Sequence, residues 1–204
     1  MSIKAVFFDY GQVISHPQDP KVIDELAKMA GVERSKFEST FWSSRCEYDR
    51  GMITVKEYFN NLLSSLGVTL DEKRIDEMIA LDSSSWKNVN PETELLMADV
   101  KKAGYILGIL SNMPSDFLAW ARKNMPVFSL PHIGLFSCEV NLIKPEKAIY
   151  EKLIAASGVK PEELVFFDDI PENVISAVSI GIKAFLWKSP ENARRELESL
   201  GVCL

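Results

Sequence analysis

Ala5-Val6-Phe7-Phe8-Asp9-Tyr10-Gly11-Gln12-Val13-Ile14, near one end of the chain, and Leu164-Val165-Phe166-Phe167-Asp168-Asp169, near the other, share one pattern. In both, a short apolar run rich in Val and Phe breaks off at an acid. Runs of four or five such residues suit strands buried on both faces of a parallel sheet, and such sheets bind ligands beyond the carboxyl ends of their strands. Gly11 permits a sharp turn immediately after the first run. Asp9, Asp168 and Asp169 are therefore expected at one sheet edge. Converging carboxylates repel by about 4 kcal/mol per close pair at moderate dielectric, so the arrangement requires a bound cation or a proton. The pattern predicts a metal site.

The remaining strands follow from the same criterion. Apolar runs predict strands at 105–110, 133–137 and 183–187, which with 3–9 and 164–168 makes five. Proline after a capping or turn residue marks helix starts at Asn90-Pro91, Lys144-Pro145, Ile170-Pro171 and Ser189-Pro190, because a missing N–H costs nothing at the first helical position. Strands alternating with helices indicate an α/β fold with a Rossmann-like parallel sheet core and helices on both faces.

Residues 15–88 interrupt this alternation, since they carry helical periodicity and no strand signal. Val22, Ile23, Leu26 and Met29 form one stripe that ends at Gly31, and Phe37, Phe41 and Trp42 form another. Thr54 and Glu57 make a capping box ahead of Tyr58, Phe59, Leu62, Leu63 and Leu66, with Gly67 as the stop. A further helix is expected over 71–82. A crossover between parallel strands needs little more than one helix, so this segment reads as an inserted all-helical cap. The expected division is 1–14 with 89–204 as core and 15–88 as cap. The apolar stripes of the cap are assigned to its interior and given no ligand.

Composition narrows the function. The chain has 204 residues, 47% of them hydrophobic, enough for a substantial core. A net charge of -6, without a Lys/Arg cluster, argues against nucleic acid and anionic membranes. Cys46, Cys138 and Cys203 are an odd number without metal-ligand spacing, which fits a reducing compartment. Lys4 and Asp9 interrupt any secretory leader, and no apolar stretch approaches bilayer length. A cytoplasmic protein with no protein partner is the expectation.

Further candidates lie at the other strand ends. Ser111 and Asn112 follow the run Ile106–Leu110 and can donate to phosphate oxygens, although Ser111 could equally cap the helix after Pro114. Lys144 supplies a point positive charge for the same oxygens and for the carboxylates. Asn173 sits one helical turn beyond Asp169, either in the site or stabilising its helix. His16 is a possible proton donor, but a loop histidine without a role is the plainer reading. Arg45, Glu47 and Arg50 could reach a substrate from the cap, yet helix charges usually face water.

The ordered set Phe-Asp-Tyr-Gly-Gln-Val-Ile, Leu-Ser-Asn, Lys-Pro-Glu and Phe-Phe-Asp-Asp resembles the haloacid dehalogenase-like hydrolase superfamily over essentially the whole chain. It is most similar to the subgroup that includes the bacterial alpha-glucose-1-phosphate phosphatase and the amino-terminal domain of soluble epoxide hydrolase. The resemblance implies that Asp9 is a nucleophile attacking phosphorus, that Ser111, Asn112 and Lys144 bind phosphate, and that Mg2+ is held by Asp9, the Gly11 carbonyl and Asp169. Asp168 would be an occasional metal ligand. The implied activity is hydrolysis of a small phosphomonoester, a sugar phosphate first, through an aspartyl phosphate.

One departure stands out. The family's phosphatases usually carry a second Asp two residues after the nucleophile, and here that position is Gly11. A positioned acid and base is worth about 10² to 10⁴ in rate. Its absence leaves three alternatives: a leaving group that needs little help, a proton from water or a cap residue, or a phosphate-binding module with little or no turnover. A metal-free dehalogenase also lacks that acid, but its fourth strand does not end in paired acids.

Overall fold

The computed structural model describes residues 2–204. Strand β1 (Ala5–Phe8) runs into a tight, kinked turn at Tyr10–Ile14, with non-helical backbone at Gly11 and Gln12. Five helices follow before the sheet resumes: α1 (Pro20–Ala30), α2 (Arg34–Ser43), α3 (Cys46–Asp49), α4 (Val55–Ser65) and α5 (Glu72–Ser85). The alternating part then runs α6 (Pro91–Lys102), β2 (Ile106–Ser111), α7 (Ser115–Asn124), β3 (Ile133–Phe136), α8 (Ser137–Val140), α9 (Lys147–Ser157), β4 (Leu164–Asp168), α10 (Pro171–Ser179), β5 (Lys183–Leu186) and α11 (Pro190–Ser199).

All five strands are parallel, in the order β3-β2-β1-β4-β5. β1 is central, and Phe8 is level with Ile109 on one side and Phe167 on the other. That register brings Asp9 beside the end of β4. Side chains alternate across the sheet as the pleat requires. Val6, Phe8, Val165 and Phe167 enter one apolar layer with α6, α7 and α11, whereas Ala5, Phe7, Leu164 and Phe166 enter the other with α9 and α10. Both faces are covered, which explains why the strands read as unbroken apolar runs.

Helices α1–α5 enclose a third apolar cluster of their own. Asp19 caps α1 ahead of Pro20, and Gly31 ends it at φ 70°, a left-handed position that favours glycine. The Thr54–Glu57 capping box is formed, and Asp71 caps α5. Ile23, Leu26, Phe37, Phe41, Tyr58, Leu62 and Met78 fill the interior. The two ends of this segment meet in an antiparallel bridge between Ser15 and Val89, flanked by backbone hydrogen bonds from His16 to Asn88 and from Asn90 to Ile14. Among the described residues, no helix is long and apolar enough to cross a membrane.

Two readings need correction. Pro91, Pro171 and Pro190 do open helices, but Pro145 does not: α9 begins at Lys147. The Lys144 peptide is held on both sides by the Asn112 carboxamide, which accepts from its N–H at 2.8 Å and donates to its carbonyl at 3.0 Å, so the chain stays in a turn there. Trp42 is not interior. It is 43% exposed and points to a cavity, so the assignment of that whole stripe to the core fails.

Gly108 shows how closely the sheet is packed. A Cβ there would fall 1.9 Å from Cε1 of buried Phe7. Gly108→Ala is expected to lower the unfolding free energy by about 1–3 kcal/mol through overpacking, measured by urea denaturation.

Candidate active site

Asp9 leaves β1 at the centre of the sheet's carboxyl edge, buried, with Asp168 and Asp169 ending the adjacent strand. One oxygen from each of the three lies within 4.8 Å of the others. Lys144 reaches this group from the loop before α9, and its ammonium is 2.8 Å from Asp9 Oδ1 and 2.5 Å from Asp168 Oδ2. It also donates to the Leu110 carbonyl at 3.3 Å. Burial by itself would lower the Lys144 pKa, and Asp168 and Asp9 together reverse that, holding it above the ordinary lysine range.

The two acids of β4 differ in their surroundings. Asp168 Oδ1 accepts from the Ile170 N–H and from Asn173 Nδ2, both at 2.9 Å, while Oδ2 faces Lys144. Its valences are filled by protein. Asp169 faces the cavity and accepts only from Gln12 Nε2, at 2.8 Å. Burial, followed by repulsion from Asp9 and Asp168, raises its pKa to about 7. Burial also raises the pKa of Asp9, against the opposing pull of Lys144 and the Ser111 hydroxyl.

These features fit a hard divalent cation. If all are ionised, three carboxylates and one ammonium leave two negative charges in a buried place, and the donors are oxygens only, as magnesium prefers. Asp9 Oδ1 is buried and makes no aligned hydrogen bond, despite its short approach to Lys144. A buried anionic oxygen held by that one ion pair can still accept a further cation. Asp169 is the more available ligand of the pair, and Asp168 is committed to Lys144 and Asn173.

The other expected residues divide. Ser111 is buried at the end of β2 beside Asp9, and Pro114, not Ser111, precedes α7. Asn112 lines the cavity, but its carboxamide is engaged with the Lys144 peptide and is not available to a ligand. Asn173 is buried, and its side chain orients Asp168. His16 is exposed and lies outside the cavity lining, so it is no proton donor for the site. Glu47 is exposed, while Arg50 forms a two-pronged bond to Glu146 at 2.7 and 3.0 Å that ties α3 to the loop before α9. Arg45 does line the cavity, paired with Asp49 and Asp82. The three cysteines are free thiols, and Cys46 is exposed at the cavity.

A cavity of about 250 Å³ opens from Asp9 toward α2, α3 and α5. Gln12, Tyr48, Trp86 and Asp116 also line it and carry no signal as separate residues. The spacing of Trp42, Arg45 and Asp49 at three and four residues would place them on one helical face, which was the available clue. Trp86 lies past the end of α5, where periodicity gives no direction.

The buried charge cluster yields two expectations. Lys144→Ala strands two buried carboxylates and should cost about 3–5 kcal/mol in stability, whereas Lys4→Ala, which breaks an exposed pair with Glu163, should cost less than about 1 kcal/mol; urea denaturation compares them. For Asp169, a folded-state pKa raised from 3.8 to about 7 means the native state binds the extra proton between those values. Stability therefore falls as pH rises through that window. In chelator-treated protein, wild type should lose stability relative to Asp169→Asn as pH rises from about 4 to about 7 and level off above that, read from thermal melts.

Comparison with known proteins agrees with this geometry. Residues 3–181 match the haloacid dehalogenase-like hydrolases. Phosphatase MT3486 of Mycobacterium tuberculosis is 26% identical over 215 residues, spanning 100% of this chain and 98% of that protein. Bifunctional epoxide hydrolase 2 of Rattus norvegicus is 39% identical over 216 residues, 98% of this chain but 39% of the rat protein. An HAD family enzyme of Bacteroides thetaiotaomicron, solved as a magnesium complex, superposes with a TM-score of 0.76 at 24% identity, over 92% of this chain and 94% of that one. With a family match running through all but the last strand and helix, the chain belongs to the haloacid dehalogenase-like hydrolases.

Proposed function

We propose that the protein is a magnesium-dependent phosphatase of a small phosphomonoester. The observation that carries this reading is the convergence of buried Asp9 with two further carboxylates and a single ammonium, an oxygen-only group with excess negative charge. Relatives named as phosphatases support the reaction class. Sugar phosphates are the first esters to assay.

In this reading a carboxylate oxygen of Asp9 attacks phosphorus, the P–O ester bond breaks with the leaving oxygen taking a proton from water, and a second water then cleaves the aspartyl phosphate to release phosphate and regenerate Asp9. Lys144 offsets charge on the equatorial oxygens, and the Ser111 hydroxyl and the backbone N–H of Asn112 donate to them. Asp168, held by Asn173 and the Ile170 N–H, keeps the ammonium aimed at Asp9. Asp9, Asp169 and the Gly11 carbonyl would hold magnesium, which when bound neutralises charge on the phosphoryl group. Helices α1–α5 act as a cap that excludes water and contacts the leaving group.

Gly11 favours a second reading, a module that binds phosphate without turning it over. The two separate cleanly. With p-nitrophenyl phosphate, the phosphatase reading expects turnover that chelation removes and magnesium restores, and that Asp9→Asn lowers by at least about 10³. Magnesium-dependent phosphate binding by calorimetry without hydrolysis of any ester would establish the module instead. Unchanged turnover in Asp9→Asn would refute the mechanism.

A further inference from the structure

The end of the cavity away from Asp9 is aromatic, and most of its polar groups are already paired. Trp42, Tyr48, Trp86 and Phe117 line it. Trp42 meets Trp86 edge to face, with ring centroids 6.3 Å apart, and remains largely exposed although a full apolar cluster lies beside it. Trp86 is fixed in place: its indole N–H donates to Asp82 at 3.2 Å, and its carbonyl accepts from the Tyr10 hydroxyl at 2.6 Å. Its ring stands 3.7 Å from where a Cβ on Gly11 would lie. An indole thus covers the position from which the family's phosphatases usually present an acid.

The charged groups at this end are paired without a ligand, with acids in excess. Arg45 donates to Asp49 at 3.2 Å and to Asp82 at 3.3 Å, and Phe41, Trp42, Tyr48 and Tyr58 surround it at 5.4–5.8 Å. Tyr48 donates to both oxygens of Asp116, at 2.9 and 3.1 Å. The one cation here is matched by two acids, with a third beyond, so a second anionic group on a substrate would meet net negative charge. A polyol would fare little better. Hydroxyls entering a space in which Arg45, Tyr48 and the Trp86 indole already spend donors on Asp49, Asp82 and Asp116 regain little of the hydration they lose, whereas a flat ring gains edge and face contacts with two indoles.

We infer that the leaving group seated against Trp42 and Trp86 is a compact, uncharged aromatic ring, in preference to a polyol or to a group bearing a second anion. This refines the class of ester and rests on the phosphatase reading of Asp9. It also shifts the expectation away from sugar phosphates.

The test matches leaving groups for acidity, so that chemistry alone does not decide. Benzyl phosphate and glycerol 1-phosphate both release primary alcohols, and fructose 1,6-bisphosphate adds a second anion. With magnesium, kcat/KM for benzyl phosphate is expected to exceed that for either by about tenfold or more. Trp42→Ala should narrow the ratio to about threefold or less, and Trp42→Phe should restore most of it. In parallel, calorimetry should find benzylphosphonate, which cannot be hydrolysed, binding at least about tenfold tighter than 2,3-dihydroxypropylphosphonate. Equal or better use of glycerol 1-phosphate or the bisphosphate would overturn the inference, as would a ratio unmoved by Trp42→Ala. Selective benzylphosphonate binding with no hydrolysis of any ester would remove the phosphatase reading and leave the aromatic site standing.

Discussion

The Lys144 ammonium, withdrawn from water between Asp9 and Asp168, holds together parts of the chain that are far apart in sequence. An ammonium in such a place is tolerated only when its charge and its hydrogen bonds are met. Here β1 and β4 supply the carboxylates, β2 supplies the Leu110 carbonyl, and Asn112 fixes the peptide from which the side chain extends. Asn173 and the Ile170 N–H complete the coordination of Asp168. The carboxyl edge of the sheet is thus a single electrostatic unit, in which Asp168 is held on both oxygens while Asp9 is held chiefly by the ammonium.

Asp168 and Asp169 divide the work of that unit because they point to opposite sides of the strand end. Adjacent residues on a strand alternate in direction. Asp168 turns inward to the ammonium and Asn173, and Asp169 turns to the cavity, where only Gln12 meets it. One acid stabilises the cluster, and the other is available to a cation.

Helices α1–α5 bring a second chemistry to the same space. Their apolar interior is separate from the two layers of the sheet, yet Trp42, Arg45, Tyr48 and Trp86 face the Asp9 cavity. Contacts from α3 to the sheet side are specific: Arg50 to Glu146, Tyr48 to Asp116, and the Ser137 hydroxyl to the Asp49 carbonyl. The aromatic wall therefore stands in a defined position relative to Asp9.

The five strands, the capped helices α1, α4, α5, α6 and α11, and the acids at the strand ends were legible in the sequence because each rests on local physics: periodicity, capping, and a short apolar run that ends at a charge. Pro145 misled because its surroundings are set by Asn112, 32 residues earlier, and no local rule reports that contact. Trp42 misled because a helical stripe does not say which of its edges meets the cavity at Asp9. By itself the sequence determined which residues carry charge at the ends of buried strands. Only the tertiary structure decided that Lys144 pairs with both Asp9 and Asp168, that Asp169 is left to face the cavity, and that the Trp86 indole stands over Gly11, since these follow from parallel register and from packing between distant segments.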